Sequence, residues 1–170
     1  RSRQGQLGLH WVPAAGQELS LSAFENHVDD LIALVPIDPV NFVYQAQNVE
    51  RARLRGAAVE YQWRNQAWQL RGAYSLQEPR NLTTGELLLR RARRNAMAGA
   101  LHESGRCNAS AELQYAGPRM DYGAVNLGGY TLLNLGGGCQ LAPGWSAQVR
   151  LDNALDRRYE LADGYNTAAR

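Results

Sequence analysis

The sequence predicts an all-β chain: an antiparallel meander of about eight long strands that forms part of a transmembrane β-barrel. Three observations carry this. Apolar and polar residues alternate with period two along most of the 170 residues. Every second connection between the alternating stretches is short. All four tryptophans sit beside the short connections and on the apolar parity of their strands.

Taken in order, residues 3–12 set Leu7, Leu9 and Trp11 against Gln6 and His10. Residues 17–35 start as Leu19, Leu21 and Ala23 and then lose phase. Residues 42–64 end with Ala57, Val59, Tyr61 and Trp63 opposing Glu60, Gln62 and Arg64. Residues 67–78 place Trp68, Leu70, Gly72, Tyr74 and Leu76 opposite Gln69, Arg71, Ser75 and Gln77. Residues 89–103 are rich in arginine and alanine; a strand is expected, with a helix as the competing assignment. Residues 107–117 set Cys107, Ala109, Ala111, Leu113 and Tyr115 against Asn108, Ser110, Glu112 and Gln114. In 130–141, Leu133, Leu135, Cys139 and Leu141 oppose Asn134 and Gln140. In 145–153, Trp145, Ala147, Val149 and Leu151 oppose Ser146, Gln148, Arg150 and Asp152.

Alternation alone does not say which face meets solvent. The connections do. Short links at 13–16, 64–66, 104–106 and 142–144 alternate with longer ones at 36–41, 79–88, 118–129 and from 154 onward. In a meander, alternate connections emerge at the same end, so one end carries tight turns and the other long loops, as in outer-membrane barrels. Tryptophan at the short-turn end, with Tyr74, Tyr115 and Tyr130 at the other, gives two aromatic bands, as two membrane–water interfaces select. The apolar face then meets lipid, and Arg71, Arg91, Arg93, Gln114 and Arg150 point into a lumen. The competing architecture is a soluble lipocalin-like binding barrel, with the apolar face inside. Eight strands suffice to close a small barrel, yet the chain runs on past the eighth into a loop, which implies a further strand. It opens on Arg1 rather than Met and reads as a piece of a longer chain, with no signal peptide visible.

Composition narrows the rest. All 18 basic residues are arginine, a bias that a GC-rich genome explains, and the net charge is only +2. Dispersed arginine at that charge argues against a nucleic-acid partner. There is no apolar run long enough for a membrane helix. Gly136-Gly-Gly138 lacks the Lys-Ser/Thr of a phosphate loop and is expected to leave room for a bulky neighbour in the sheet. His10, His27 and His102 lie on different strands without metal spacing, and no nucleophile elbow occurs, so neither a metal site nor catalytic residues are expected. Asn81-Leu-Thr83 and Asn108-Ala-Ser110 match a glycosylation pattern frequent by chance. Cys107 and Cys139 are nearly symmetric about the 118–129 hairpin; a cross-strand disulfide and two packed thiols are both open.

Several segments carry a family resemblance. Arg150-Leu-Asp-Asn-Ala-Leu-Asp-Arg-Arg-Tyr159 followed by Gly164-Tyr-Asn-Thr-Ala-Ala-Arg170 resembles the closing signature of TonB-dependent outer-membrane receptors, with Ala169 where the family usually has Gly. Phe24-Glu-Asn-His-Val-Asp-Asp-Leu-Ile32 and the stretch from Asn48 to Glu60 are similar to two further strands of these receptors. Tyr74-Ser-Leu-Gln-Glu-Pro-Arg80, Arg90-Arg-Ala92 and Gly128-Gly-Tyr-Thr-Leu-Leu-Asn-Leu135 resemble the cobalamin-receptor (BtuB-type) branch.

The resemblance implies a fragment of a 22-stranded barrel, with residues 1–170 forming its C-terminal portion and the plug domain and last strand absent. It implies a Gram-negative outer-membrane location and no enzymatic activity. The partners it implies are membrane lipid, a small-molecule substrate (a corrinoid or, alternatively, a siderophore) and TonB through the missing N-terminal region. It implies no cofactor or metal in this segment. Arg90 takes the position of an arginine that reaches the bound corrinoid; a solvated rim arginine is the plainer alternative. Tyr122 lies in the loop where that branch has a substrate-touching tyrosine, although loop lengths differ. Asp152, Asn153, Asp156 and Tyr159 read as structural, pinning a strand end.

Overall fold

A computed structural model describes residues 2–38, 41 and 43–167. The eight long strands form one sheet, each antiparallel to its neighbour. They are β1 (Ser2–Trp11), β2 (Gln17–Asp38), β3 (Val43–Arg64), β4 (Trp68–Asn81), β5 (Arg94–Ser104), β6 (Cys107–Ala116), β9 (Tyr130–Ala142) and β10 (Trp145–Leu151). Between β6 and β9 the chain forms β7 (Arg119–Met120), a 3-10 turn at Tyr122–Ala124 and β8 (Asn126–Leu127); β11 (Glu160–Ala162) and β12 (Tyr165–Asn166) follow β10.

Register joins the apolar parities into one continuous face. Leu9 pairs Leu21, Leu21 pairs Val59, Val59 pairs Tyr74, Tyr74 pairs Ala96 and Ala96 pairs Tyr115. Toward the other edge, Leu70, Ala100, Ala111, Leu135 and Leu151 lie opposite one another in sequence. This face is bare: Leu7 is 78% exposed, Trp145 73% and Val149 71%. Among the described residues only Ala52 and Leu127 are buried hydrophobics. A soluble chain of this size would enclose an apolar core; here the apolar residues point outward. The opposite face lines a trough of about 870 Å³ that includes Glu18, Gln62, Arg71, Asn108, Glu112 and Arg150. Apolar outside and polar inside excludes the lipocalin arrangement and matches a membrane barrel wall.

The strand lengths mark the bilayer. On β4 the outward apolar residues run from Trp68 to Leu76, eight steps or about 26 Å of strand. That is comparable with the ~25 Å apolar band of such barrels. The next outward positions are charged: Glu78 accepts from Arg55 (2.7 Å) and from Arg80 (2.6 Å). β2 and β3 are 22 residues each, about twice the 9–11 needed to cross, so roughly half of each stands beyond the membrane. This is why alternation fades after Ala23: the following outward residues, Glu25, His27 and Asp29, pair with Arg55, Arg53 and Arg51. The loop expected at 36–41 is therefore strand up to Asp38.

Three other expectations change. β5 is a strand rather than a helix, but it begins at Arg94, not at 89, so Arg91 and Arg93 precede it; Arg93 O still accepts from Gln77 N on β4 at 2.8 Å. Tyr130 pairs Ala116, which puts it on the polar parity, and it stacks on Tyr159 (4.0 Å between rings) instead of joining an outer aromatic band. Gly136 leaves room for a small neighbour, since a Cβ there would lie 2.6 Å from Ser110 Oγ. The cysteine alternatives resolve as a disulfide: Cys107 and Cys139 are direct cross-strand partners with Cα atoms 4.1 Å apart.

Candidate functional site

The long-loop end gathers three segments: 82–93 between β4 and β5, 117–129 between β6 and β9, and 152–167 after β10. The chain turns back at the end of β4, where Asn81 Oδ1 accepts from Thr83 N (2.8 Å) and Thr84 N (3.3 Å), a side-chain-closed turn. Arg80 forms a bridge with Leu87, so the loop returns along the strand it left.

Arg90 then adopts φ +59°, a left-handed conformation that costs a bulky residue of order 1–3 kcal/mol. Two contacts to the second loop hold it there. Its backbone N donates to Met120 O at 2.7 Å, and its Nε donates to Asp121 Oδ1 at 2.6 Å. Its guanidinium lies 5.0 Å from the centre of the Tyr122 ring. The structure thus brings together Arg90 and Tyr122, the two residues singled out from the sequence.

Asp121, between them in space, was not visible in the sequence. It is 1% exposed. Its Oδ1 also accepts from Tyr122 N (2.8 Å), and its Oδ2 accepts from Asp163 N (2.6 Å) in the third loop. Burial raises its pKa, but the bonds from Arg90, Asp163 and Tyr122 outweigh it and leave the carboxyl below its ordinary value. Beside it Arg119, 6% exposed, donates to Glu160 O and lies over the Tyr130 ring (5.3 Å). Arg90, by contrast, keeps 45% of its side chain exposed.

Several other polar residues at this end hold the chain's own turns. Asn153 N donates to Asn134 Oδ1 (3.0 Å), and the Asn153 side chain pairs with Arg157 N and Arg157 O. Tyr159 O accepts from Thr167 Oγ1 (2.7 Å), and Arg150 Nε donates to Asp152 Oδ1 (2.8 Å). These are the strand-end fastenings expected of Asp152, Asn153 and Tyr159. The histidines stand apart: His10 meets Ser20, His27 approaches Glu25 and His102 stacks on Trp68. Among the described residues no three His, Cys, Asp or Glu side chains converge.

The site is therefore an exposed guanidinium against a tyrosine ring, fixed from beneath by a buried carboxylate. It offers hydrogen-bond donors and an aromatic face to a ligand arriving from the long-loop side.

Comparison with known proteins agrees with this architecture. A family model described as TonB dependent receptor-like, beta-barrel matches residues 1–154. The chain is 25% identical over 162 residues to the vitamin B12 transporter BtuB of Vibrio vulnificus, covering 95% of this chain and 26% of that protein. It spans about a quarter of the length of that relative. Among solved structures, the ferric yersiniabactin uptake receptor FyuA of Yersinia pestis superposes with a TM-score of 0.78 at 20% identity, covering 99% of this chain and 27% of that one. The ferric enterobactin receptor PfeA of Pseudomonas aeruginosa gives 0.78 at 18%, covering 99% and 29%. With its outward apolar belt, polar trough and matching residues 1–154, the chain belongs to the TonB-dependent receptor β-barrel family of the Gram-negative outer membrane.

Proposed function

We propose that this chain is the wall and outer-loop portion of an active transporter that takes up cobalamin or a similar corrinoid, with Arg90 and Tyr122 touching the substrate. One observation carries the reading: an exposed arginine fork and a tyrosine ring are held 5.0 Å apart on the long-loop side of a polar-lined wall. A corrinoid presents amide side groups and a phosphate, which suit a fork of donors, and a broad ring edge, which suits an aromatic face. The likeness to a vitamin B12 transporter supports the same substrate class. Transport would be driven by TonB acting through an N-terminal region outside these residues.

The test is equilibrium binding of cyanocobalamin to the whole receptor in detergent. Arg90→Ala and Tyr122→Ala should each weaken binding about 5–20-fold, the loss expected for one charged or aromatic contact. Wild-type affinity in both variants would overturn the assignment of these residues. A second reading, a ferric-siderophore receptor, is favoured by the several iron-chelate receptors among the structural relatives, FyuA and PfeA included. Competition decides between them: a ferric chelate that displaces cyanocobalamin, or binds where cyanocobalamin does not, supports the siderophore reading.

A further inference from the structure

Arg90, Asp121 and Asp163 belong to three different loops, separated by 31 and 42 residues in sequence, yet one carboxylate joins them. We infer that Asp121 is a positioning residue: its buried side chain locks the 82–93, 117–129 and 152–167 loops into one body and sets Arg90 against Tyr122. This rests on the proposed role of Arg90 and Tyr122 in binding substrate.

The geometry is that of a clasp with no slack. Oδ1 takes Arg90 Nε at 2.6 Å and Tyr122 N at 2.8 Å; Oδ2 takes Asp163 N at 2.6 Å. Both oxygens are thus engaged, and the side chain has no exposed surface. Each partner comes from a different direction: a side chain of the first loop, the backbone of its own loop and the backbone of the third. The first and third loops are each fastened to the middle loop a second time, by Arg90 N on Met120 O and by Arg119 on Glu160 O. Those stitches hold backbone to backbone or brace the far side. The Asp121 carboxylate engages the guanidinium that lies over Tyr122, so it couples loop docking to presentation of the binding pair.

The experiment uses the whole receptor in detergent, with Asp121→Asn as the isosteric variant and Asp121→Ala beside it. Hydrogen exchange is followed in peptides covering 117–129 and 159–167, and cyanocobalamin binding is measured on the same samples. Asp121→Asn should speed exchange at Tyr122 and Asp163 about tenfold while leaving β6 and β9 unchanged, and should weaken binding about tenfold. In an Arg90→Ala/Tyr122→Ala background it should change binding less than about twofold, because it acts through those two residues.

Unchanged exchange would overturn the clasp. Faster exchange with wild-type binding, in a receptor where Arg90→Ala does weaken binding, would overturn the positioning role and leave the proposed function standing. A full additional loss in the double-alanine background would also overturn it. If Arg90→Ala and Tyr122→Ala leave binding untouched, the substrate reading fails, and exchange alone then decides whether the loops are clasped.

Discussion

A Cβ on Gly99 would lie 2.8 Å from Arg71 Nε and 3.1 Å from Arg71 Cγ. Gly99 is the register partner of both Arg71 on β4 and Glu112 on β6, and the Arg71 side chain passes over it to pair with Glu112. The missing side chain is what lets an ion pair span an intervening strand on the lumenal face. Gly99→Val should break that pair and destabilise the receptor by about 1–3 kcal/mol, the usual cost of forcing bulk into an occupied space. The same substitution in an Arg71→Ala background should be neutral or stabilising, since valine suits a strand; urea-unfolding midpoints of the refolded receptor would check both. At the loops the relevant single residue is Asp121. Its folded pKa lies below the usual aspartate value of 3.8, so the bonds it accepts stabilise the loop cluster fully above that pH. They are lost as pH falls through the lower folded value. The difference in thermal midpoint between wild type and Asp121→Asn should accordingly be constant near neutrality and shrink as pH drops below 3.8. Its contact with Tyr122 N is local, but the partners that tie the loops together lie at Arg90 and Asp163, far along the chain. Arg90 and Tyr122 were legible only through family likeness, and the left-handed turn at Arg90 only through the contacts that enforce it.

At the level of a single strand, alternation has a direct energetic meaning. On β10 Val149 faces outward, 71% exposed, while Arg150 faces the trough. Val149→Arg places a charge against lipid at a cost of roughly 2–4 kcal/mol near the midplane, whereas Arg150→Val removes a solvated side chain. Assembly into outer-membrane vesicles, read as the folded fraction by heat-modified mobility, should fall sharply for the first and barely for the second. Comparable assembly of the two would reverse the faces assigned to the wall. The long strands were readable because each repeats the two-residue period several times. The short ones, β7, β8, β11 and β12, have two or three residues and cannot display a period. The run from Arg90 to Arg93 has no strand signature of its own, and Arg90 is claimed by bonds to the 117–129 loop. Tyr130 is different: Leu133 and Leu135 on the opposite parity already placed it on the polar face.

On the scale of the molecule, the chain is a wall with lipid on one side and a polar trough on the other, topped by one cluster of loops. Little of its stability can come from a core, since almost nothing apolar is buried among the described residues. Strand pairing, lipid contact and cross-links carry it instead. The Cys107–Cys139 bond lies at the tight-turn end, joining residues 32 apart. In the chain-entropy account such a closure contributes about 3–4 kcal/mol. It also makes β6, the 117–129 loop and β9 a covalent ring whose seam sits at the far side of the membrane from that loop. A protease cutting once inside 117–129 would open the ring without producing two chains. After such a cut the receptor should run as a single band without reductant and as two with it, and β6 and β9 should keep their register on either side of the break.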